Sequence, residues 1–253
     1  MSRPTVWTVA NPDVTALPPD CGQPAPFAGA QPALLPSGQQ APSPGTHPAP
    51  PPGSQRDRPL ADLDFVVVDV ETTGWSPADA RITEVAAVRL RSGRVVGEFA
   101  TLVNPGMPVP ASIEALTGIT SRMTAAAPQP AAVLPALLGF TRGGVLAAHN
   151  APFDLGFLTT ACRDCGLAWP ALTVLDTVEV ARQLLSPDEV PDRRLQTLAS
   201  YFATPTQPCH RALADALATA SVLDAMIARL AGQGVQTLGQ LHEWLAVALA
   251  LRA

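Results

Sequence analysis

The chain contains no lysine, and all 16 of its basic residues are therefore arginines. They are outnumbered by 21 acidic residues, which gives a formal net charge of −5 at pH 7. The charges within residues 1–60 cancel, so the negative excess belongs to the rest of the chain. A protein that reads the sequence of duplex DNA carries a basic face, and this composition argues against that class.

Cysteine is also scarce, with four in 253 residues, and we expect no disulfide framework and a reducing compartment. Cys162-Arg-Asp-Cys165 has the spacing of metal and redox motifs, but no second Cys or His pair accompanies it. We therefore interpret these two residues as small side chains on a helix. No apolar run approaches the ~18 residues of a membrane span, and no basic-then-apolar leader opens the chain, so a cytoplasmic protein without membrane contact is expected.

Proline is concentrated in residues 1–60, which hold more than half of the total together with alanine, glycine, glutamine and serine. The apolar residues there follow neither the period of a strand nor that of a helix. Such a composition is typical of a disordered tail with polyproline II character. We therefore predict a disordered tail over 1–60, one folded domain over 61–232, and a C-terminal helix within 233–253 that packs on that domain.

The remaining sequence alternates between strand and helix signals. Strands are predicted at residues 64–70, 82–90, 95–103, 145–148 and 173–176. Helices are predicted at residues 111–116, 131–140, 152–165, 177–185, 195–202, 211–230 and 238–251. The first strand is β-branched and apolar on both faces, which is typical of a buried central strand. The pattern predicts an α/β fold with a mixed five-stranded sheet flanked by helices, in which the second strand runs antiparallel to the first.

Three short segments hold the residues that stand out chemically. They are Asp-Val-Glu-Thr-Thr-Gly at 69–74, His-Asn-Ala-Pro-Phe-Asp at 149–154 and His-Arg-Ala-Leu-Ala-Asp at 210–215. Together they offer one histidine and four carboxylates: His210, Asp69, Glu71, Asp154 and Asp215. Gathered carboxylates repel one another, so the cluster is best explained as a cage for hard cations such as Mg²⁺ or Mn²⁺. With a histidine beside it, the predicted chemistry is metal-assisted hydrolysis of a phosphodiester.

Each of these residues also has a simpler explanation when it is taken alone. Asp69 and Glu71 lie two apart on one face of a strand, their roots about 6.5 Å apart, but a strand that frays into a polar loop would direct them to water. Asp154 could be a helix-terminal aspartate favoured by the helix dipole, and His149 a structural histidine. Asp215 is flanked by alanines on an apolar helix, where an inward-facing acid is costly unless it meets a cation.

Taken together, the three segments resemble the motifs of the DEDDh group of 3′–5′ exonucleases. Within that group the chain, from about Asp64 to Leu230, is most similar to the DnaQ-like proofreading epsilon subunit of bacterial DNA polymerase III. Leu-Thr-Gly-Ile-Thr at 116–120 is also typical of the epsilon branch. Trp75 departs from the pattern, since a smaller apolar residue is usual there. The resemblance implies a ribonuclease H-like exonuclease fold.

The resemblance also implies a role for each motif residue. Asp69, Glu71 and Asp215 would hold one of two Mg²⁺ or Mn²⁺ ions, Asp69 would bridge to the second, and Asp154 would act through their water shell. His210 would be the general base that activates the attacking water, a task that suits histidine near neutral pH. Four residues would meet the 3′-terminal nucleotide or pack behind it: Thr72, Thr73, Phe153 and Asn150. Two cations roughly 3.5–4 Å apart can clamp the attacking and leaving oxygens of such a displacement.

These inferences predict a 3′–5′ exodeoxyribonuclease that acts on the 3′ end of single-stranded DNA in proofreading or repair and releases nucleoside 5′-monophosphates. An acidic domain is compatible with this activity because bound metal ions would supply positive charge. Two alternatives stay open: an RNA-directed 3′–5′ exoribonuclease of the same group, and a catalytically inactive nucleic-acid-binding module. A replicative DNA polymerase is a candidate partner, and the sequence leaves the oligomeric state and the preferred metal undetermined.

Overall fold

One mixed sheet forms the centre of the molecule. The computed structural model describes the backbone of residues 5–8 and 55–250 and the side chains of residues 55–247. Its strands are β1 (Thr5–Thr8), β2 (Asp64–Thr72), β3 (Ile82–Arg91), β4 (Arg94–Leu102), β5 (Val145–Ala148) and β6 (Val174–Asp176). They lie in the order β1-β4-β3-β2-β5-β6. β3 is antiparallel to both β2 and β4, whereas β5 is parallel to β2 and β6, and β1 is parallel to β4.

The central position of β2 follows from its sequence. Val66, Val67 and Val68 are fully buried, because β2 lies between two strands and is covered on both faces. Strands buried on both faces read as continuous apolar runs rather than alternating ones. The predicted central first strand and antiparallel second strand are therefore confirmed.

The sheet has one strand more than the sequence predicted. Thr5–Thr8 pairs in parallel with β4, from Thr5 opposite Gly97 to Thr8 opposite Ala100. The prediction of a disordered tail is wrong for these four residues, because a Thr-Val-Trp-Thr run of strand-forming residues is hidden in a proline-rich average. Residues 9–54 of the expected tail lie outside the described residues.

The folded domain also begins earlier than the predicted boundary at residue 61. Residues Leu60–Asp62 form a short 3-10 helix in which the Leu60 side chain is only 2% exposed. The Leu60 amide donates to the carbonyl of Gln236, and the Gly239 amide donates to the carbonyl of Arg56. The segment from residue 55 is thus held by the region that precedes and opens the last helix.

The helices cover both faces of the sheet. They are α1 (Ala111–Thr117), α2 (Ser121–Ala125), α3 (Pro130–Thr141), α4 (Ala151–Asp164), α5 (Thr177–Leu184), α6 (Leu195–Tyr201), α7 (Ala212–Gly232) and α8 (Leu238–Ala250). One apolar core joins the sheet to α5–α8, and a second joins its other face to α3 and α4. The sequence missed only α2, whose five residues are too few to show a helical period.

Two further expectations concern cysteines and membranes. Cys162 and Cys165 are free and lie at the end of α4, which agrees with their interpretation as small helix residues. Cys209 is disulfide-bonded, whereas the absence of a disulfide framework had favoured a reducing compartment. None of the helices between residues 55 and 250 is long and apolar enough to cross a membrane.

Candidate active site

The first two carboxylates lie where β2 runs beyond its parallel neighbour. Phe65 and Val67 of β2 belong to the core that contains α7, and Asp69 and Glu71 continue the same alternation toward that face. The pairing of β2 with β5 ends at Val67 opposite Ala147, so the two acids extend past it. A crevice at the carboxyl ends of parallel strands is the usual ligand position in such sheets.

The third carboxylate comes from α4, the helix that follows β5 in the chain. Asn150 caps this helix with a left-handed backbone (φ 68°), and a proline in the first turn favours the helix start. The first turn of α4 places Asp154 against β2. There Asp154 is 3% exposed, and its Oδ1 accepts the backbone amide of Val70 at 3.1 Å. Asp154 is therefore a buried acid tied to the strand that carries the first two, rather than a helix-terminal residue in water.

The fourth carboxylate and the histidine come from the start of α7. Asp215 is 8% exposed, and its Oδ1 accepts the Cys209 amide at 2.8 Å. His210 is exposed and has a positive φ of 58°, which is uncommon for a non-glycine residue and typical of functional turns. One ligand atom from each of Glu71, His210 and Asp215 can be chosen so that all three lie within 4.8 Å of one another.

Burial is the first cause of a raised pKa at all four carboxyls. It lifts the pKa of Asp69 well above its ordinary 3.8, with added repulsion from the other three acids. The pKa of Glu71 rises to about 9, from burial and then from repulsion by Asp215. The pKa of Asp154 rises to about 8 although the Val70 amide offsets part of the burial. Burial also raises the pKa of Asp215, against the lowering effect of the Cys209 amide.

This donor set fits divalent cations. The four acids share one site, and their raised pKa values reflect burial and mutual repulsion, which the positive charge of Arg211 offsets only in part at Glu71. Oxygen ligands of this kind suit Mg²⁺ and Mn²⁺, and an imidazole in reach is acceptable to Mn²⁺. The geometric group includes His210, which the sequence assigned to proton transfer rather than to metal binding.

The second histidine of the pocket is held by other groups. His149 Nδ1 lies 2.9 Å from the Thr177 hydroxyl, which itself donates to the carbonyl of Ala148. Burial lowers the pKa of His149 to about 4, and a hydrogen bond with the backbone of Arg193 offsets only part of this effect. His149 is thus a partly buried, neutral ring engaged by its neighbours, whereas His210 is exposed.

A pocket of about 160 Å³ joins these groups. Its lining contains all four carboxylates and both histidines, together with the predicted substrate residues Thr72 and Phe153. The highly exposed Trp75 is also part of the lining, with its ring centroid 6.5 Å from that of Phe153. The apolar side chains of Ile113 and Leu116 from α1 complete this wall.

Two predicted substrate residues lie outside the lining. Thr73 is buried, and its hydroxyl accepts the Arg81 amide at 2.9 Å, so its side chain is used within the loop. Asn150 is exposed at the start of α4, where its backbone amide donates to the carboxylate of Asp176 at 3.1 Å. The structure therefore brings Thr72 and Phe153 to the acids but directs Thr73 elsewhere.

Sequence reasoning missed a buried ion pair next to the acids. Glu84 lies directly opposite Glu71 in the antiparallel ladder, and its Oε1 accepts from Arg211 Nη2 at 2.8 Å. Arg211 also lowers the pKa of Glu71 by its charge. The available signal was an acid inside the apolar run Ile-Thr-Glu-Val-Ala-Ala-Val at 82–88, together with an arginine beside His210.

Comparison with family models identifies the class. The RNase_T model, described as an exonuclease, matches residues 66–223, a span that contains every carboxylate of the pocket and His210. The chain belongs to this exonuclease family, which confirms the family predicted from the three motifs.

Several curated proteins are similar to the chain. It is 50% identical over 193 residues to a putative bifunctional exonuclease/endonuclease protein of Mycobacterium tuberculosis, covering 74% of this chain and 30% of that protein. It is 38% identical over 179 residues to the PolC-type DNA polymerase III of Caldanaerobacter subterraneus, covering 71% and 13%. It is 41% identical over 186 residues to the DNA polymerase III subunit epsilon-like protein of Rhodobacter capsulatus, covering 72% and 26%. The chain thus spans less than a third of each of these relatives.

Solved structures confirm the exonuclease fold. Exonuclease X, in complex with 5′ overhanging duplex DNA, superposes with a TM-score of 0.56 and 26% identity over 72% of this chain and 99% of that one. Exonuclease I of E. coli, in complex with a dT13 oligonucleotide, superposes with a TM-score of 0.58 and 20% identity over 68% and 42%. At that lower identity the second likeness concerns the fold alone.

Proposed function

We propose that the protein is a 3′–5′ exodeoxyribonuclease that removes nucleotides from the 3′ end of single-stranded DNA. The observation that carries this proposal is the pocket in which four carboxylates, two of them buried and two partly buried, meet an exposed histidine and an aromatic wall. Membership in the exonuclease family supports the reaction class. Exonuclease X, which was solved with DNA, supports DNA as the substrate.

The carboxylates would bind the cations that the reaction needs. Asp69, Glu71 and Asp215 would hold one Mg²⁺ or Mn²⁺, with Asp69 shared with a second, while Asp154 under β2 would orient their water shell. Such a pair supplies positive charge to the attacking and leaving oxygens of the phosphodiester. The Val70 amide fixes the Asp154 carboxylate, and the Cys209 amide fixes that of Asp215, so both donors are oriented before substrate arrives.

His210 would take the proton of the attacking water on an imidazole nitrogen. Its ring is exposed beside Glu71 and Asp215, so it can accept a proton at the pocket and release it to solvent. His149 is less suited because burial and its bond to Thr177 engage its ring. The general base assigned from the sequence is therefore retained in the proposal.

The aromatic wall would bind the terminal nucleotides. Trp75 is 75% exposed, an unusual position for so large an apolar side chain, and it lies at the pocket beside Phe153. Base stacking on an aromatic ring is worth about 1–3 kcal/mol and tolerates any base. Thr72, which also lines the pocket, would contact the terminal nucleotide. Asn150, outside the lining at the start of α4, would contact the substrate from there.

The cellular setting is proposed from the relatives. Two of them are named as DNA polymerase III proteins, PolC-type and epsilon-like, which supports a role in proofreading or repair with a replicative polymerase as partner. Such a role places the protein in the cytoplasm. The chain covers only a part of those relatives, so a polymerase partner is tested by pull-down of the full chain against the replicative polymerase.

The direct test is digestion of 5′-labelled single strands of DNA and RNA with Mg²⁺ or Mn²⁺. We expect a ladder of DNA shortened from the 3′ end and nucleoside 5′-monophosphates as products. Asp215→Asn should abolish it, whereas Asp224→Asn, about 13 Å further along α7, should not. Faster digestion of RNA would assign the protein to the exoribonucleases, and binding without digestion would leave only the inactive module.

A further inference from the structure

The pair formed by Glu84 and Arg211 is not a metal donor in the proposed site, yet it lies beside that site. Glu84 is 1% exposed on β3, directly opposite Glu71, and two acids facing each other across a ladder repel. Arg211 occupies the position that relieves this repulsion. Its Nε and Nη2 reach the two carboxylate oxygens of Glu84 at 3.1 and 2.8 Å, a bidentate contact.

Glu84 also binds the backbone at the start of α7. Its Oε2 accepts the amide of Ala212, the first residue of the helix, at 2.9 Å. An N-cap side chain usually accepts the amide of the second or third helical residue, but Arg211, the N-cap residue of α7, makes no such bond because a guanidinium has no acceptor atom. A carboxylate 128 residues away in sequence therefore caps the helix and ties residues 211–212 to the sheet.

His210 is the residue immediately before this anchor. It adopts a strained positive φ, and such conformations persist only where the surroundings enforce them. On its other side the Cys209 amide is bound by Asp215. His210 is thus held between two backbone anchors, one on Asp215 and one on Glu84.

A buried ion pair is a weak source of stability, because desolvation offsets most of its attraction. A purely structural role would be served equally well by apolar residues between β3 and α7. We infer that Glu84 and Arg211 are positioning residues, which fix the backbone of residues 211–212 and thereby aim His210 at the reaction centre. The inference rests on the function proposed above, since it gives His210 a task in hydrolysis.

The test compares Glu84→Gln with Asp64→Asn. Asp64 also makes a bidentate pair with Arg91 across the same two strands, at 2.5 and 2.6 Å, but at the opposite and more exposed end of the ladder. Both variants remove one carboxylate charge from an ion pair and keep the size of the side chain. We expect Glu84→Gln to lower kcat by roughly 10- to 100-fold, the order expected for a small misplacement of a catalytic group. Its KM for a single-stranded oligonucleotide should change little, and Asp64→Asn should leave both constants unchanged.

A double variant separates positioning from loosening of the whole fold. If Glu84 acts through His210, then Glu84→Gln should cost nothing further in a His210→Ala background, because the group that it positions is absent. Losses that multiply in the double variant would overturn the inference. Equal losses of kcat in Glu84→Gln and Asp64→Asn would overturn it as well. Arg211→Lys is the second variant if Glu84→Gln does not fold. It keeps the positive charge but cannot make the bidentate contact of the guanidinium with Glu84.

A readout independent of turnover distinguishes this inference from the proposed function. The imidazole C–H signal of His210 in a carbon–proton NMR spectrum, assigned by its loss in His210→Ala, should move in Glu84→Gln and not in Asp64→Asn. An unmutated protein that digests no strand would refute the proposed function while the spectrum still tests the pair. A His210 signal that moves in neither variant, or equally in both, would refute the positioning role.

Discussion

At the scale of single residues, the two histidines of the pocket differ in how far their rings are already engaged. His149 bonds to Thr177 and is partly buried, whereas His210 is exposed beside Glu71 and Asp215. If His210 is the general base, His210→Ala should lower kcat by about 10²–10⁴, the usual worth of a positioned acid–base group. Affinity for the oligonucleotide should remain largely intact. Steady-state kinetics with a separate binding measurement on a non-hydrolysable strand would check both parts.

The matched control for this prediction is His149→Ala. It should lower the melting temperature, because it removes a buried contact to Thr177, and change turnover much less. If His210 accepts the proton of water, the kcat of the unmutated enzyme should rise as pH increases toward neutrality. This rise should be lost in His210→Ala and kept in His149→Ala. Near-normal turnover in His210→Ala together with an inactive His149→Ala would show that the base had been assigned to the wrong histidine.

The raised pKa of Glu71 makes the stability of the metal-free protein depend on pH. This pKa is about 9 in the folded protein against an ordinary 4.5, so between these values the folded state keeps a proton that the unfolded chain releases. The free energy of unfolding therefore falls as pH rises through this window. In EDTA we expect a lower melting temperature at about pH 9 than at about pH 5. In Glu71→Gln, whose side chain cannot ionise, the melting temperature should fall less between these two pH values. In the exposed control Glu243→Gln it should fall as much as in the unmutated protein. An equal fall in all three proteins would contradict this account.

At the scale of secondary-structure elements, long periodic segments were predictable and short or non-local features were not. The composition and the hydrophobic period of the sequence predict the valine-rich β2 and the apolar α7. β1 and α2 have four and five residues, too few for a period to emerge. The acids of the site were found because each lies in a compact motif. Glu84 and Arg211 were missed because their contact depends on strand register and on the position of a helix 127 residues away.

The earlier start of the domain predicts different outcomes for two truncations. Removal of residues 1–60 deletes Leu60, whose buried side chain is worth about 2 kcal/mol, and the backbone bonds to residues 236–239. Removal of residues 1–54 keeps these contacts and, among the described residues, loses the four-residue pairing of β1 on β4. We expect the first form to melt several degrees lower than the second, by roughly 2–4 °C per kcal/mol in a domain of this size. Both should cut a short single strand, because none of the described residues of either segment lines the pocket.

Circular dichroism melting curves of the two truncated forms would check this prediction, with the full chain as reference. If the form that begins at residue 61 is as stable as the form that begins at residue 55, the contacts of residues 55–60 contribute nothing. If the form that begins at residue 55 is itself much less stable than the full chain, residues 1–54 contribute more than a short edge strand should.

At the scale of the whole molecule, an acidic protein must bind an acidic polymer. The net charge of −5 opposes association with DNA, and the four carboxylates of the pocket increase the opposition at the site itself. Divalent cations resolve both problems, because they neutralise the cluster and attract the phosphodiester. The composition, which argued against a duplex reader, is thus consistent with an enzyme whose positive charge is supplied by its metals.

Metal binding should therefore stabilise the entire fold. A ligand that binds only the native state adds RT ln(1 + [L]/Kd) to the free energy of unfolding, about 2.7 kcal/mol at a hundredfold excess over Kd. We expect millimolar Mn²⁺ or Mg²⁺ to raise the melting temperature, most strongly at high pH, where the acids are ionised in the absence of metal. Asp69→Ala should abolish most of this rise, because Asp69 lines the pocket and would contact both ions. Asp224→Ala, outside the pocket, should keep it, and a melting curve of the unmutated protein that saturating metal leaves unchanged would refute the metal cage.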